Sequence, residues 1–169
     1  TVDGDVIAAA SAPGAYTSDY DERLPQGVAV DRTLRRPMFQ PPGSVFKPFV
    51  AAWALDQGIT NMAVTVPCEQ RDGIRGKASW GGVRCSASIG HGSLALEDAL
   101  VVSCNCYFSW LGDQMTQAHF AQVLRTFGFD EPTGIRGERD GLPEDWRPVR
   151  LDRDPMARRR AANGLGQIE

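Results

Sequence analysis

Short apolar runs separated by polar, glycine-rich stretches predict a chain that mixes strands with helices. Residues 5–11 form an apolar run that stops before Pro13-Gly14, a pattern typical of a buried strand followed by a turn. Residues 15–40 are polar and show no sustained period, which predicts a long loop. Loops of that length are often functional.

Three later stretches have helical spacing. Residues 44–58 follow the proline pair Pro41-Pro42 and combine an apolar body with a closing Gly58, which predicts a buried helix with a glycine C-cap. Residues 94–111 predict two helical pieces that meet at an interruption near Ser103-Cys104-Asn105. Residues 117–127 place their apolar side chains on one face, and Gly128 can cap that helix.

The remaining segments predict strands and loops. Residues 63–66 are strand-like, and residues 67–92 indicate an irregular β-excursion with a hairpin turn at Trp80-Gly81-Gly82. Beyond Asp130 four prolines and an arginine run predict a loop. The expected class is therefore α+β, a helical cluster with part of an antiparallel sheet.

Composition narrows the possible functions. A chain of 169 residues with 42% hydrophobic residues can bury a core without a metal or a disulfide. The net charge of −3, with both signs interleaved, gives no cationic face, so we expect no nucleic-acid partner. No apolar run reaches the roughly 18 to 20 residues of a membrane span, and the sequence opens without a leader pattern. We expect a mature or excised soluble piece.

Candidate chemistry begins with the two lysines, since the other basic residues are all arginine. Arginine stays protonated, so only Lys47 or Lys77 could supply a lysine base. Ser44 and Lys47 are three residues apart at the start of a helix, on one face, beside the positive end of the helix dipole. A Ser-x-x-Lys pair by itself is common and usually faces solvent.

Ser103-Cys104-Asn105 adds a second hydroxyl and an amide at the break between two helices. Local helix capping is the alternative role for Ser103 and Asn105. Ser-x-x-Lys followed by Ser-x-Asn is the pattern of penicillin-recognising enzymes.

Residues 41–49 (PPGSVFKPF) and 103–108 (SCNCYF) resemble the first and second motifs of the penicillin-binding protein transpeptidase domain. Residues 3–8, 90–92, 96–100, 127–129 and 164–167 resemble further landmarks of that family. Cys68 and Cys85 ahead of Gly-His-Gly are most similar to the monofunctional, class B-like enzymes of cell elongation and division. We expect residues 1–169 to be part of one penicillin-binding, serine β-lactamase-like transpeptidase domain.

The resemblance implies a D,D-transpeptidase that needs no cofactor. Ser44 would attack the D-Ala-D-Ala amide of a peptidoglycan stem peptide, and Lys47 would be the general base. Ser103 would shuttle a proton, Asn105 would orient the substrate, and the Ser44 N–H would form half of the oxyanion hole. β-Lactams would acylate the same serine. The implied location is the periplasmic or extracytoplasmic face of the cell membrane, with the anchor outside this chain.

The sequence departs from the family in lacking a Lys-Thr-Gly or Lys-Ser-Gly third motif, because Lys77 precedes Ala78-Ser79. We therefore expect the first half of a catalytic domain, weakly active or inactive alone, that self-associates or requires a missing C-terminal segment. Two alternatives remain open at this point. One is a serine β-lactamase or β-lactam sensor, and the other is a non-catalytic scaffold or partner-binding half-domain.

The four cysteines are spaced unlike a standard zinc ligand set, so no metal is expected. Cys104 and Cys106 are expected to be small core residues. An envelope location would favour a disulfide between Cys68 and Cys85, with two free thiols as the alternative.

Overall fold

The computed structural model describes residues 42–70, 77–130 and 154–165, and all of them belong to one compact unit. The predicted strand at 5–11 and the predicted loop at 15–40 lie outside the described residues. The helical elements are a 3-10 turn (Gly43–Phe46), α1 (Lys47–Asp56), α2 (Leu96–Val101), α3 (Asn105–Gln114), α4 (Gln117–Thr126) and α5 (Pro155–Ala162). The strands are β1 (Val66–Cys68), β2 (Ser79–Trp80), β3 (Val83–Arg84) and β4 (Gly92–Leu94).

The strands form two small antiparallel sheets in the described part of the chain. β1 pairs with β4, with Val66 opposite Leu94, and β2 pairs with β3 through the turn at Gly81-Gly82. Both turn glycines have positive φ, 52° and 87°, as a two-residue hairpin turn of type I′ requires. The hairpin prediction is confirmed, whereas the strand predicted at 63–66 lies further along, at 66–68.

Helices α1 and α4 end where the glycines predict. Gly58 and Gly128 have φ values of 67° and 71°, and the residue after each donates its N–H to a carbonyl five residues back. This is the Schellman ending, which satisfies carbonyls that have no partner inside the helix.

The sequence prediction of a loop beyond Asp130 is wrong for residues 155–162, which form α5. The Asp154 side chain accepts the Met156 N–H at 2.8 Å, and Pro155 occupies the first turn, where its missing N–H costs nothing. Asn163 and Gly164 then close the helix, Gly164 with a φ of 65°. Pro155 therefore marks a helix start, and Arg159 and Arg160 lie in the last turn of that helix.

Helix α3 lies at the centre of the described unit and contacts α5, α2 and strands β1 to β3, while α1 packs on α4 and α2. Its buried side chains include Tyr107, Phe108 and Leu111, which form one core with the apolar side chains of α1 and α4. This mixture of helices and small antiparallel sheets confirms the α+β expectation. Among the described residues, none of the helices is long and apolar enough to span a membrane.

Candidate active site

Ser44 lies in the 3-10 turn that leads directly into α1, and its side chain is exposed. The Lys47 N–H donates to the Ser44 carbonyl. Since residues three apart eclipse in a 3-10 turn, the two side chains lie on the same side. A hydrogen bond also joins this turn to the end of α5, because the Gly43 N–H donates to the Gly164 carbonyl at 2.9 Å.

The Lys47 side chain is almost completely buried, with 1% of its surface exposed. Its Nζ donates to the Ser103 carbonyl at 2.8 Å, to the Ser103 Oγ at 3.1 Å and to the Asn105 Oδ1 at 2.7 Å. It also lies 5.3 Å from the centre of the Phe108 ring. Burial lowers the pKa of Lys47 from 10.5 to about 8, because desolvation disfavours the charged amine.

The loop between α2 and α3 presents the second hydroxyl and the amide to Lys47. Ser103 has a φ of 51°, the one positive φ among the described residues other than glycine. A left-handed conformation costs a side-chain-bearing residue roughly 1 to 2 kcal/mol, and here it belongs to the end of α2, where the Cys104 N–H donates to the Ala99 carbonyl five residues back at 2.8 Å. Helix α3 has no side-chain capping hydrogen bond at its N-terminus, so Ser103 ends α2 but does not cap the start of α3.

Hydrogen bonds hold the Asn105 side chain at both ends of its amide. Its Oδ1 accepts from Lys47, and its Nδ2 donates to the Arg84 carbonyl of β3 at 2.8 Å. The structure thus brings Lys47, Ser103 and Asn105 together beside the turn that carries Ser44.

Sequence reasoning missed Asn163, which is completely buried at the end of α5. Its Nδ2 lies 3.0 Å from the Ser109 Oγ, 3.3 Å from the Asn105 carbonyl and 2.8 Å from the Arg159 carbonyl. Asn163 therefore joins α5 to the first turn of α3. The Asn-Gly pair at positions 163–164, a helix-ending signal, is the sequence feature that points to it.

A second link joins α5 to α3 and the hairpin. The Arg159 Nε donates to the Asp113 Oδ1 at 2.7 Å, and its Nη1 donates to the Gly81 carbonyl at 2.9 Å. The Trp80 Nε1 donates to the other oxygen of Asp113 at 2.9 Å. These bonds keep the hairpin, and with it Arg84, against α3.

A groove of about 590 Å³ opens beside the anchored amide. Its lining includes two arginines and three apolar side chains. One of the arginines, Arg84, contributes the carbonyl that accepts from Asn105. The lining residues are Gly82, Val83, Arg84, Met156, Arg160 and Leu165.

All four cysteines lie close together next to the second motif, and three of them lie close to His91. Cys68, Cys85 and Cys104 are buried thiols, and His91 Nδ1 lies 3.4 Å from the Cys68 Sγ and 3.5 Å from the Cys85 Sγ. Hydrogen bonds from the thiols of Cys104 and Cys106 hold the pKa of Cys85 far below its usual range.

The disulfide predicted between Cys68 and Cys85 is not formed in the structure, since both thiols face the His91 ring instead. Cys104 and Cys106 are core residues, as expected. His91 lies with Cys68, Cys85 and Cys104 in a set of four side chains whose ligand atoms are within 4.8 Å of one another. The spacing of the cysteines along the chain does not predict this set.

Comparisons with known families and solved structures identify the family of this chain. The family "Penicillin binding protein transpeptidase domain" matches residues 3–166, and the chain belongs to that family. The peptidoglycan D,D-transpeptidase MrdA of Acinetobacter baumannii is 33% identical over 104 residues, which cover 60% of this chain and 15% of the relative. Penicillin-binding protein 3 of Bacillus subtilis is 34% identical over 136 residues, covering 75% of this chain and 18% of the relative.

Among solved structures, the D,D-transpeptidase domain of a peptidoglycan glycosyltransferase from Eggerthella lenta is similar, with a TM-score of 0.68 and 25% identity. The match covers 92% of this chain and 37% of that one. The matched residues cover less than a fifth of the length of these two curated relatives. It is a member of the transpeptidase family of penicillin-binding proteins, and its described part is consistent with a portion of that fold.

Proposed function

We propose that this chain supplies the nucleophile and proton-transfer groups of a serine D,D-transpeptidase that cross-links peptidoglycan on the extracytoplasmic side of the membrane. The observation that carries the proposal is the buried Lys47 amine, which contacts both polar groups of the second motif one turn from Ser44. A desolvated amine beside a serine is an arrangement that activates a nucleophile.

Acylation begins when the Ser44 Oγ attacks the carbonyl of the D-Ala-D-Ala amide and its proton passes to the neutral Lys47 amine. With a pKa of about 8, about a tenth of the Lys47 amines are neutral at pH 7. This fraction is far larger than for a solvated lysine. The Ser44 N–H lies in the first turn of its helix, where such groups have no partner inside the helix, and is one donor for the oxyanion.

The acyl group then passes to an acceptor amine. The C–N bond of the substrate breaks, and the leaving D-Ala amine takes a proton through the Ser103 hydroxyl, which lies 3.1 Å from Lys47. An amine from a neighbouring strand attacks the Ser44 ester, forms a new amide and restores the serine. Asn105, fixed between Lys47 and Arg84, orients the stem peptide, and the groove lined by Arg84 and Arg160 receives its anionic part.

The matched family and the named relatives of this chain do not favour the two alternatives, a β-lactamase or a non-catalytic scaffold. The third motif is not among residues 1–169, so we assign to this chain the nucleophile, the base, the proton shuttle and one oxyanion donor. A C-terminal segment that supplies the remaining donor, or a second copy of the chain, is the partner that this assignment requires.

Labelling of the full-length protein with a fluorescent penicillin tests the proposal. We expect one covalent adduct, mapped by peptide mass spectrometry to Ser44, and no labelling of Ser44→Ala. Ser93→Ala is the matched control, because Ser93 is an exposed serine of β4 outside the site. An adduct at another serine, or full labelling of Ser44→Ala, would contradict the assignment. Unlabelled but folded wild-type protein would favour the scaffold alternative, and rapid turnover of the adduct would favour a β-lactamase.

A further inference from the structure

The groove lined by Arg84 and Arg160, named here the arginine groove, carries two positive charges beside the second motif. Both side chains line the groove, and both are exposed. In the described part of the chain, the carboxylates that form ion pairs are those of Asp113 and Asp130, and they pair with other arginines. Arginine keeps its proton at any physiological pH. The arginine groove is therefore a cationic site on a chain whose net charge is −3.

Hydrogen bonds fix the two walls of the arginine groove relative to each other. One wall is the β2–β3 hairpin, and the other is α5. The Arg159 side chain of α5 donates to the Gly81 carbonyl of the hairpin and to Asp113 of α3. The walls also pack closely, since a Cβ at Gly82 would collide with the Met156 side chain. Because the walls are joined in this way, binding a ligand requires little ordering of the protein.

Arg84 connects the arginine groove to the second motif. Its backbone carbonyl accepts from the Asn105 Nδ2 at 2.8 Å, and the same residue lines the groove. Leu165, on the opposite wall, follows the glycine whose carbonyl accepts from the N–H of the residue before Ser44. The groove therefore lies next to both the amide of the second motif and the turn that carries the serine.

The lining of the arginine groove suits a carboxylate on an aliphatic chain. Guanidinium groups bind a carboxylate through paired, charge-assisted N–H···O bonds, whereas a carboxamide is neutral and offers a single oxygen. The apolar side chains of Val83, Met156 and Leu165 can contact the methylene groups that carry the carboxylate. A volume of about 590 Å³ is large enough for a long acidic side chain.

We propose that the arginine groove binds a side-chain carboxylate of the donor stem peptide, on the residue that precedes D-Ala-D-Ala. The site then selects donors in which this carboxylate is free and discriminates against donors in which it is amidated. This inference rests on the proposed function, in which Asn105 orients the stem peptide, and it adds the chemical group by which one stem peptide is distinguished from another.

The two ends of the Asn105 amide indicate which part of the donor meets the arginine groove. Lys47 lies at the amide oxygen, and Arg84 lies at the amide nitrogen. The departing D-Ala receives its proton on the lysine side, through Ser103. The groove is on the other side of Asn105, where the part of the donor that stays on the serine is expected.

Two donors that differ in one group test the proposal on the full-length protein. They are acetyl-α-aminoadipyl-D-Ala-D-lactate, an ester analogue of the donor, and the same compound with its side-chain carboxylate converted to a carboxamide. We expect kcat/KM to be about tenfold higher for the acid at low ionic strength. The preference should shrink at about 1 M salt, because salt screens exposed charges. Equal kcat/KM values for the two donors at low ionic strength would overturn the proposal.

Glutamine variants of the two groove arginines identify the site of this preference. Arg84→Gln and Arg160→Gln should each lower the acid-to-amide ratio about threefold. Glutamine at position 84 keeps the backbone carbonyl that anchors Asn105. A variant that folds less well loses activity toward both donors, so the ratio reports the charge alone. Arg125→Gln is the matched control, because Arg125 is an exposed arginine of α4 outside the groove. An unchanged ratio in both groove variants, or an equal decrease in the control, contradicts the site.

Binding to the Ser44→Ala protein separates the arginine groove from the chemistry. Isothermal titration calorimetry should show about tenfold tighter binding of the acid than of the amide, although no acylation takes place. If this preference is present while penicillin fails to label Ser44 in the wild type, the proposed function is wrong and the groove assignment stands. If labelling is normal and the preference is absent, the groove assignment alone is wrong. A preference for a carboxylate on the acceptor amine, and none for one on the donor, also overturns it.

Discussion

Lys47 and Asn105 are 58 residues apart in the sequence, and the Lys47 Nζ donates a 2.7 Å hydrogen bond to the Asn105 Oδ1. The bond joins the first turn of α1 to the first turn of α3. Because the Asn105 Nδ2 donates to the Arg84 carbonyl, the amide can take only one orientation, with its oxygen on the amine. The two sequence motifs are therefore one site.

The lowered pKa of Lys47 gives acylation a definite pH dependence. A general base acts when it is neutral, and burial brings the pKa from 10.5 to about 8. We expect the rate of penicillin acylation to rise from about pH 6 to about pH 8 and to level off above, measured by stopped-flow fluorescence. Lys47→Arg should lose about 10²- to 10⁴-fold in rate, because arginine keeps its proton. A flat profile for the wild type, or normal acylation by the arginine variant, would exclude Lys47 as the base.

Asn163 is a positioning residue that acts through α3. Asn163→Ala should lower the free energy of unfolding by about 1 to 3 kcal/mol, because buried acceptors on Ser109 and Asn105 lose a donor. We also expect the acylation rate constant to fall about tenfold, with little change in the affinity of the first, noncovalent complex.

Asn61→Ala is the control for that variant, since the Asn61 side chain is exposed and accepts a hydrogen bond from the Ala63 N–H. Its unfolding free energy, from urea denaturation, should change by less than about 0.5 kcal/mol. If Asn163→Ala affects stability but leaves the rate constant as in the wild type, Asn163 supports the fold without positioning the site.

Local signals in the sequence were enough for the parts of the fold that depend on neighbours along the chain. Gly58, Gly128 and the Gly81-Gly82 turn are at the predicted ends and turns, because the need for a positive φ is a property of the residue itself. Helix α5 was missed although Asp154, Pro155 and Gly164 are ordinary start and stop signals. Proline and a run of charged residues are equally typical of loops, so the local pattern alone does not distinguish a loop from a helix here.

The active site depends instead on contacts between distant parts of the chain, and local sequence patterns do not predict such contacts. The two motifs could be named from the sequence, but the contact of Lys47 with Ser103 and Asn105 depends on how α1 packs near α3, which no local pattern encodes. The same holds for the contacts among Cys68, Cys85, His91 and Cys104. These residues come from separate elements whose approach depends on strand pairing and on Gly90, so their spacing along the chain does not predict the contacts.

The ion pair between Arg159 and Asp113 should contribute measurably to stability. Both side chains are 22% exposed, and Asp113 also accepts from the Trp80 indole. Asp113→Ala should therefore lower the free energy of unfolding by about 2 kcal/mol, since it removes a charged acceptor that two partly buried side chains share.

Asp130→Ala is the matched control, because its ion pair with Arg125 is 3.8 Å long and the arginine is 71% exposed. Urea denaturation should show a change of at most about 0.5 kcal/mol for this variant. Equal effects of the two substitutions would mean that the link between α5 and α3 contributes no more than a surface pair.

The contact of Gly164 with Gly43 links the end of α5 to the turn that carries Ser44, and a single methyl group tests it. Gly164 and Gly128 both close helices with positive φ, 65° and 71°. A Cβ on Gly128 meets nothing within 4 Å, whereas a Cβ on Gly164 would collide with the Gly43 carbonyl.

Gly128→Ala should therefore cost only the left-handed strain of about 1 to 2 kcal/mol and acylate normally. Gly164→Ala should cost more and should slow acylation about tenfold or more, because the Ser44 turn must move away from Lys47. Urea denaturation and penicillin acylation, run on both variants, decide the matter: if their acylation rates are equal, the end of α5 does not position the nucleophile.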